Sequence, residues 1–182
     1  DKHWAKKEIN DMGSRMVVSG VSKENYEPDR DITRAEFAAI LVQALGLKPG
    51  NDQGTFSDVQ GSDWFSGAIQ TASQYQIISG YGNGKFGPTD KITREQAITM
   101  IAKAMNITGL KAEFREEDGE KILAGFTDAG KTAEYARSSM IACVKTGLIT
   151  GKVGNVLAPK DNITRAEVAL VVQKLLQKSN LI

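Results

Sequence analysis

The sequence predicts an all-α, mainly helical fold in which three copies of one unit are arranged about a pseudo-threefold axis. Three observations carry that expectation. Thr33-Arg34-Ala35-Glu36, Thr93-Arg94-Glu95-Gln96 and Thr164-Arg165-Ala166-Glu167 write one motif three times, at intervals of 60 and 71 residues. After each motif the apolar residues share one register: 37, 40, 41, 44 and 45; 97, 100, 101, 104 and 105; 168, 171, 172, 175 and 176. That is the i, i+3, i+4, i+7, i+8 spacing of a single buried helix face. Gly20, Gly80 and Gly151 precede the motif Thr by thirteen residues, and Pro28, Pro88 and Pro159 precede it by five. A fixed period of this length marks tandem copies of one supersecondary unit.

Taken in order, each unit opens with an aromatic residue, Trp4, Trp64 or Tyr135, which starts a helix expected over about 4–16, 64–76 and 135–146. One side of that helix carries Ile9 and Met12, Ile69 and Ala72, or Met140 and Cys143. It ends on an apolar pair, a hydroxyl residue and Gly, as in Ile77-Ile78-Ser79-Gly80. A turn-rich loop follows, Tyr81-Gly82-Asn83-Gly84-Lys85-Phe86-Gly87-Pro88 in the second unit, where Asn-Gly and the spaced glycines predict a hairpin-like reversal. The motif then starts the second helix. Gly46 lies past the end of the first of these, as a cap would. No unit can bury its stripe alone, and three equal stripes meet most simply as a central three-helix bundle.

The chain divides into repeat 1 (about 1–48), repeat 2 (about 54–108), a charged insertion (about 109–125) and repeat 3 (about 126–178), within one domain spanning 1–182. Phe56-Ser57-Asp58 and Phe126-Thr127-Asp128 open repeats 2 and 3. The same element of repeat 1 falls before residue 1, so part of its opening is expected to be missing.

Composition narrows function by exclusion. A net charge of +1 gives no field suited to nucleic acid or an anionic membrane, and no apolar run approaches a membrane span. One cysteine excludes an internal disulfide framework, and one His with one Cys excludes an ordinary His/Cys zinc site. Cys143, on a helical apolar stripe, reads as a small buried hydrophobe. No cofactor or metal is expected.

The motif itself has a structural reason. Thr-x-x-Glu or Thr-x-x-Gln before an apolar helix is a capping box, which assigns Thr33 with Glu36, Thr93 with Gln96, and Thr164 with Glu167. The arginine has none of that kind. Arg34, Arg94 and Arg165 fall at the first helical position, where the positive end of the helix dipole disfavours a cation by a few tenths of a kcal/mol up to about 1. Repeating this choice implies a compensating anion. It is either a neighbouring carboxylate such as Asp58 or Asp128, or an external carboxylate or phosphate held by Arg and the helix N-terminus.

Phe-x-Asp, an aromatic opening a helix, Ser-Gly, a Gly-rich loop with Phe-x-Pro and then Ile-Thr-Arg-Ala-Glu together resemble the S-layer homology domain, as three tandem repeats over the whole chain. The resemblance implies a pseudo-threefold spindle with ligand grooves between adjacent repeats. It also implies a non-catalytic anchor for a secreted surface protein in the wall of a Gram-positive-type bacterium, and a monomeric module. The implied partner is a peptidoglycan-linked secondary cell wall polymer, recognised through pyruvylated N-acetylmannosamine, with no nucleic-acid or membrane partner. Carried over, Arg34, Arg94 and Arg165 bind the carboxylate, while Asp58 and Asp128 form groove walls or support the arginines. Trp4, Trp64 and Tyr81 stack on or shape the groove, and Gly46 and Gly109 permit a sugar to approach the backbone. Gln96 departs from the usual Glu, and Lys152 and Leu157 from the usual loop aromatics, so the three grooves are expected to differ. A helical-repeat interaction module and a glycan hydrolase are the competing readings, although the repeats single out no carboxylate pair without another role.

Overall fold

The computed structural model describes residues 3–20, 25–50 and 54–182. These contain seven α-helices and no strand: α1 (Lys6–Ser14), α2 (Arg34–Ala44), α3 (Ser66–Gln74), α4 (Arg94–Thr108), α5 (Glu116–Leu123), α6 (Glu134–Lys145) and α7 (Arg165–Lys178). The motif helices α2, α4 and α7 start where the capping box predicts. Thr33, Thr93 and Thr164 hold extended backbone, and their hydroxyls accept from the N–H of Glu36, Gln96 and Glu167. Those side chains accept from the Thr N–H in return.

The remaining N–H groups of each first turn are satisfied by another repeat. Arg34 and Ala35 donate to the carbonyls of Asp90 and Pro88, Arg94 and Glu95 to Asp161 and Pro159, and Arg165 and Ala166 to Arg30 and Pro28. Just inside this rim lies a closed triangle of backbone bonds. Ile32 donates to Ile163 (3.1 Å), Ile163 to Ile92 (3.1 Å) and Ile92 to Ile32 (3.2 Å), with all three side chains buried. The triangle is the pseudo-threefold axis made of hydrogen bonds.

Packing follows the same cyclic order. The helix preceding each loop packs on the motif helix of the repeat before it: α3 on α2, α6 on α4, and α1 on α7. The first repeat therefore closes against the last. α7 touches both α2 and α4, and Phe37, Leu41, Ile98, Ile101, Val168 and Val172 fill the interior. Cys143 is buried there too, its thiol pushed up to about 12 by burial, so it stays protonated and inert.

Several expectations are adjusted. The loop-preceding helices are shorter than periodicity suggests. Trp4 and Trp64 lie in turns ahead of α1 and α3, whereas Tyr135 is in the first turn of α6. The loops reverse as single bridged turns, with Tyr81 N–H donating to Lys85 (2.9 Å) and Lys152 N–H to Val156 (2.8 Å). The insertion is partly helical: α5 packs on α6, buries Leu123 and pairs Glu120 with Arg137.

Phe-x-Asp is explained by the loop it faces. A Cβ on Gly80 would come within 2.7 Å of the Phe56 ring, and one on Gly151 within 2.6 Å of Phe126, so only glycine admits these rings. The Asp58 carboxylate accepts from the N–H of Phe86 and Gly87 (both 2.8 Å), and Asp128 from Leu157 (2.7 Å) and Ala158 (2.8 Å). Neither makes an ion pair with a motif arginine, which sets aside the neighbouring-carboxylate alternative for these two residues. Their free electron pairs go to backbone N–H groups that would otherwise be buried unmet.

Two stability predictions follow from these contacts. Thr93→Ala removes one cap and lowers the unfolding free energy by about 0.5–2 kcal/mol, read from urea titration. Asp58→Ala strands two loop N–H groups, at about 1–3 kcal/mol each. Partial burial works to raise the Asp58 pKa, but the two N–H donors outweigh it and hold it below the ordinary carboxylate value. A lowered native pKa stabilises the fold once the unfolded carboxyl has ionised, and that contribution fades as pH falls through the native value. Wild-type stability should therefore decline below about pH 4, and the Asp58→Ala variant should show a smaller acid-dependent decline in the same titrations.

Candidate functional site

All three motif arginines are buried, with only 5, 5 and 6% of Arg34, Arg94 and Arg165 exposed. Their cations are compensated by the next repeat, mainly through its backbone. Arg34 Nε donates to the Phe86 carbonyl (2.8 Å), Arg94 Nε to Leu157 (2.9 Å) and Arg165 Nε to Tyr26 (2.9 Å), which are equivalent loop positions. Arg34 Nη2 reaches the Ser79 carbonyl (3.1 Å), and Arg165 Nη2 reaches that of Ser19. Arg34 also lies over the rings of Tyr81 and Phe86 at 4.6 Å, and Arg165 over Tyr26 at 4.4 Å. Asp58 thus supports Arg34 indirectly, since it holds the N–H of the residue whose carbonyl the guanidinium grips.

The third guanidinium nitrogen distinguishes the repeats. Arg94 Nη1 meets the Glu167 carboxylate at 3.2 Å, and Arg165 Nη1 lies 4.0 Å from that of Glu36. At the equivalent place Arg34 faces Gln96, and among the described residues it makes no ion pair. The helix N-termini contribute no free N–H to a ligand, because the cap and the neighbouring repeat occupy them. The arginine side chain is the donor that remains.

Each arginine forms the floor of a cleft built from all three repeats, a correction to the expectation of grooves between adjacent pairs. The Arg34 cleft, about 560 Å³, is lined by Ser79, Gly80 and Tyr81 of the loop, Gln96, Thr99, Met100 and Lys103 of α4, and Tyr135. The Arg94 cleft, about 460 Å³, has Thr150–Val153, Glu167, Leu170, Val171 and Lys174 of α7, and Trp4. The Arg165 cleft, about 370 Å³, has Ser19, Gly20, Glu36, Ala39, Ile40 and Gln43 of α2, and Trp64. These volumes fall in the range of small-ligand sites. Of the expected aromatics, Tyr81 lines the Arg34 cleft, while Trp4 and Trp64, joined by Tyr135, each stand across a cleft from the arginine of the following repeat in cyclic order. Trp4, Trp64 and Tyr135 are 59, 70 and 59% exposed, so none is core.

Gly46 and Gly109 do not line these clefts. Both adopt positive φ (65° and 75°) at the ends of α2 and α4 and serve as helix terminators. Residues 21–24, the repeat 1 counterpart of the Tyr81 loop, lie outside the described residues.

Sequence reasoning missed four contributors. Lys103 and Lys174 occupy one repeat position, with Gln43 as the third copy, and a column-by-column reading of α2, α4 and α7 finds them. Lys103 donates to the Ser79 hydroxyl (2.9 Å), so two cations converge on Ser79. Tyr135 was noticed only as an aromatic opening. Its hydroxyl donates to Glu95 Oε1 (3.3 Å), and its pKa is pushed up to about 12 by burial of that end and by the Glu95 charge. Glu95 is 4% exposed and also accepts from Lys160 (2.6 Å) and the Ala133 N–H (2.9 Å), so it braces the start of α6. Ala35 and Ala166 hold its place in the other repeats, and periodicity offers no signal for it. Burial lowers the pKa of Arg34, which nevertheless stays charged at neutral pH.

Comparison with known proteins supplies the family. The S-layer homology domain profile matches residues 1–38, 55–98 and 125–169. The chain is 38% identical over 177 residues to an amylopullulanase of Thermoanaerobacterium thermosulfurigenes, covering 97% of the chain and 9% of that protein. It is 37% identical over 178 residues to exoglucanase XynX of Acetivibrio thermocellus, covering 98% and 16%, and 28% identical over 177 residues to a surface-layer 125 kDa protein of Lysinibacillus sphaericus, covering 96% and 14%. The chain thus spans a small fraction of the length of these relatives. Three profile matches in the register of the three motifs, on a helical fold closed by the Ile triangle, place the chain in the S-layer homology domain family.

Proposed function

We propose that the chain is a non-catalytic anchoring module that holds a larger surface protein to the bacterial cell wall by binding an acidic glycan. The partner in this reading is a peptidoglycan-linked secondary cell wall polymer, contacted through pyruvylated N-acetylmannosamine. The site is outside the cell, in the wall or S-layer of a Gram-positive-type bacterium, and the module works as a monomer. One observation carries the reading. An exposed aromatic ring faces a buried arginine edge in three equivalent clefts, although nothing in the packing needs Trp4 or Trp64 exposed. A sugar presents an apolar face to such a ring, and a pyruvyl carboxylate offers the guanidinium a charged acceptor.

The relatives support an anchor over an enzyme. Proteins named as an amylopullulanase, an exoglucanase and a surface-layer protein share this segment as 9–16% of their length, so no single named activity accompanies it. The carboxylates repeated in the chain are also spoken for. Asp58 and Asp128 hold loop backbone, while Glu36 and Glu167 cap helices and face arginines. Paired acid and base carboxylates of a glycosidase would need to be free for the substrate. No helix among the described residues is long and apolar enough to cross a membrane.

Co-sedimentation with purified wall fragments tests the proposal. The wild-type protein should pellet with walls, and chemical removal of the pyruvyl group should release it. Trp4→Ala with Trp64→Ala should weaken retention at least about tenfold with a melting temperature close to wild type, because both rings are exposed. Release of reducing sugar would favour a hydrolase, and indifference to walls would favour a protein-interaction array.

A further inference from the structure

We infer that Glu95 is a positioning residue for the Arg34 cleft, holding the Tyr135 phenol so that the ring stands fixed in the cleft wall before a ligand arrives. The inference rests on the reading of the clefts as glycan sites and adds to it a residue that lines none of them.

Three residues that occur in one repeat each meet at one point. Tyr135 stands where the other copies have Trp4 and Trp64, Glu95 where they have Ala35 and Ala166, and Lys160 where they have Asp29 and Thr89. Glu95 Oε1 accepts from the Tyr135 hydroxyl (3.3 Å) and from Lys160 (2.6 Å), and Oε2 accepts from the Ala133 N–H (2.9 Å). The Glu95 main chain is itself anchored, its N–H donating to the Pro159 carbonyl (3.0 Å). The sequence thus departs from its own repeat at three distant positions, and the three departures touch.

The ring at position 135 has a need that the two tryptophans do not share. Trp4 lies 5.3 Å from the His3 ring, and Trp64 meets Phe65 edge-on at 5.3 Å. Tyr135 is flanked in sequence by Glu134 and Ala136, and it makes no ring contact among the described residues. Without a tether, so exposed a side chain would sample several rotamers. Glu95 supplies the tether at the far end of the ring, in the wall of the cleft floored by Arg34. A ring immobilised in advance loses no rotamer freedom when a ligand binds, which preserves about two- to tenfold in affinity for one side chain.

NMR of carbon-13-labelled methionine ε-methyl groups, during titration with the methyl glycoside of pyruvylated N-acetylmannosamine, tests this. Met100 lines the Arg34 cleft and Met16 the Arg165 cleft, so one sample reads the two separately. Tyr135→Phe keeps the ring and removes only its hydroxyl. It should weaken binding at Met100 about two- to tenfold and leave the Met16 curve unchanged. Glu95→Ala should do the same, and the double variant should bind no more weakly, because the tether is already cut. Glu95→Gln should recover most of the loss, its oxygen accepting from the Ala133 N–H and its amide donating to the phenol oxygen. Melting temperatures establish that each variant is folded; if Glu95→Ala is not, Tyr135→Phe alone decides. Wild-type affinity at Met100 in Tyr135→Phe, additive losses, or equal losses at Met100 and Met16 overturns the inference while leaving the glycan reading standing. A wild-type titration that moves Met16 alone does the same. Failure of the wild-type protein to bind the glycoside or cell walls overturns the glycan reading itself, and the inference with it.

Discussion

The fold depends on a backbone debt that each repeat settles for another. The first turn of a helix has N–H groups with no internal partner, and here the carbonyls that meet them come from a different part of the chain. Pro88, Pro159 and Pro28 supply one acceptor each, which gives their recurrence a physical reason. A proline has no N–H to satisfy, and its carbonyl remains free to receive. The arginine side chain then locks the same loop from beneath, through its carbonyl at Phe86, Leu157 or Tyr26. Helix start, loop conformation and neighbour position are therefore one interaction seen from three sides.

This arrangement gives the motif arginine two duties that compete. Its Nε is committed to structure in every repeat and its Nη2 in Arg34 and Arg165, so what each arginine can offer a ligand differs from cleft to cleft. Replacing such an arginine would disturb both loop and ligand, which makes it a poor probe of binding alone. The exposed aromatics separate the duties, since Trp4, Trp64 and Tyr135 contribute to the cleft wall with little part in the core.

Much of this was legible in the sequence. Capping boxes, the first helical arginine and the apolar register are local signals, governed by residues within a few positions, and all three appear as read. What escaped was cyclic permutation. Periodicity identifies equivalent positions without saying which repeat each one faces, so it could not tell that Trp4 stands across from Arg94. Asp58 stood as one of two candidate counter-charges because opposite charges at fixed spacing invite pairing, yet unmet loop N–H groups claim it first. Glu95 was invisible because it occurs in one repeat, and its partners Lys160 and Ala133 lie 65 and 38 residues away.

The composition of each cleft has a consequence for how such a module can change. The arginine comes from one repeat, the loop and helix wall from the next, and the aromatic from the third. Duplication or loss of a single repeat would therefore not add or subtract one site in proportion. Loss of any one would dismantle every cleft at once and leave the triangle of isoleucine bonds open. The smallest heritable unit of binding is the full trio, so variation among sites must proceed by point substitution, of which Gln96 is the example this chain carries.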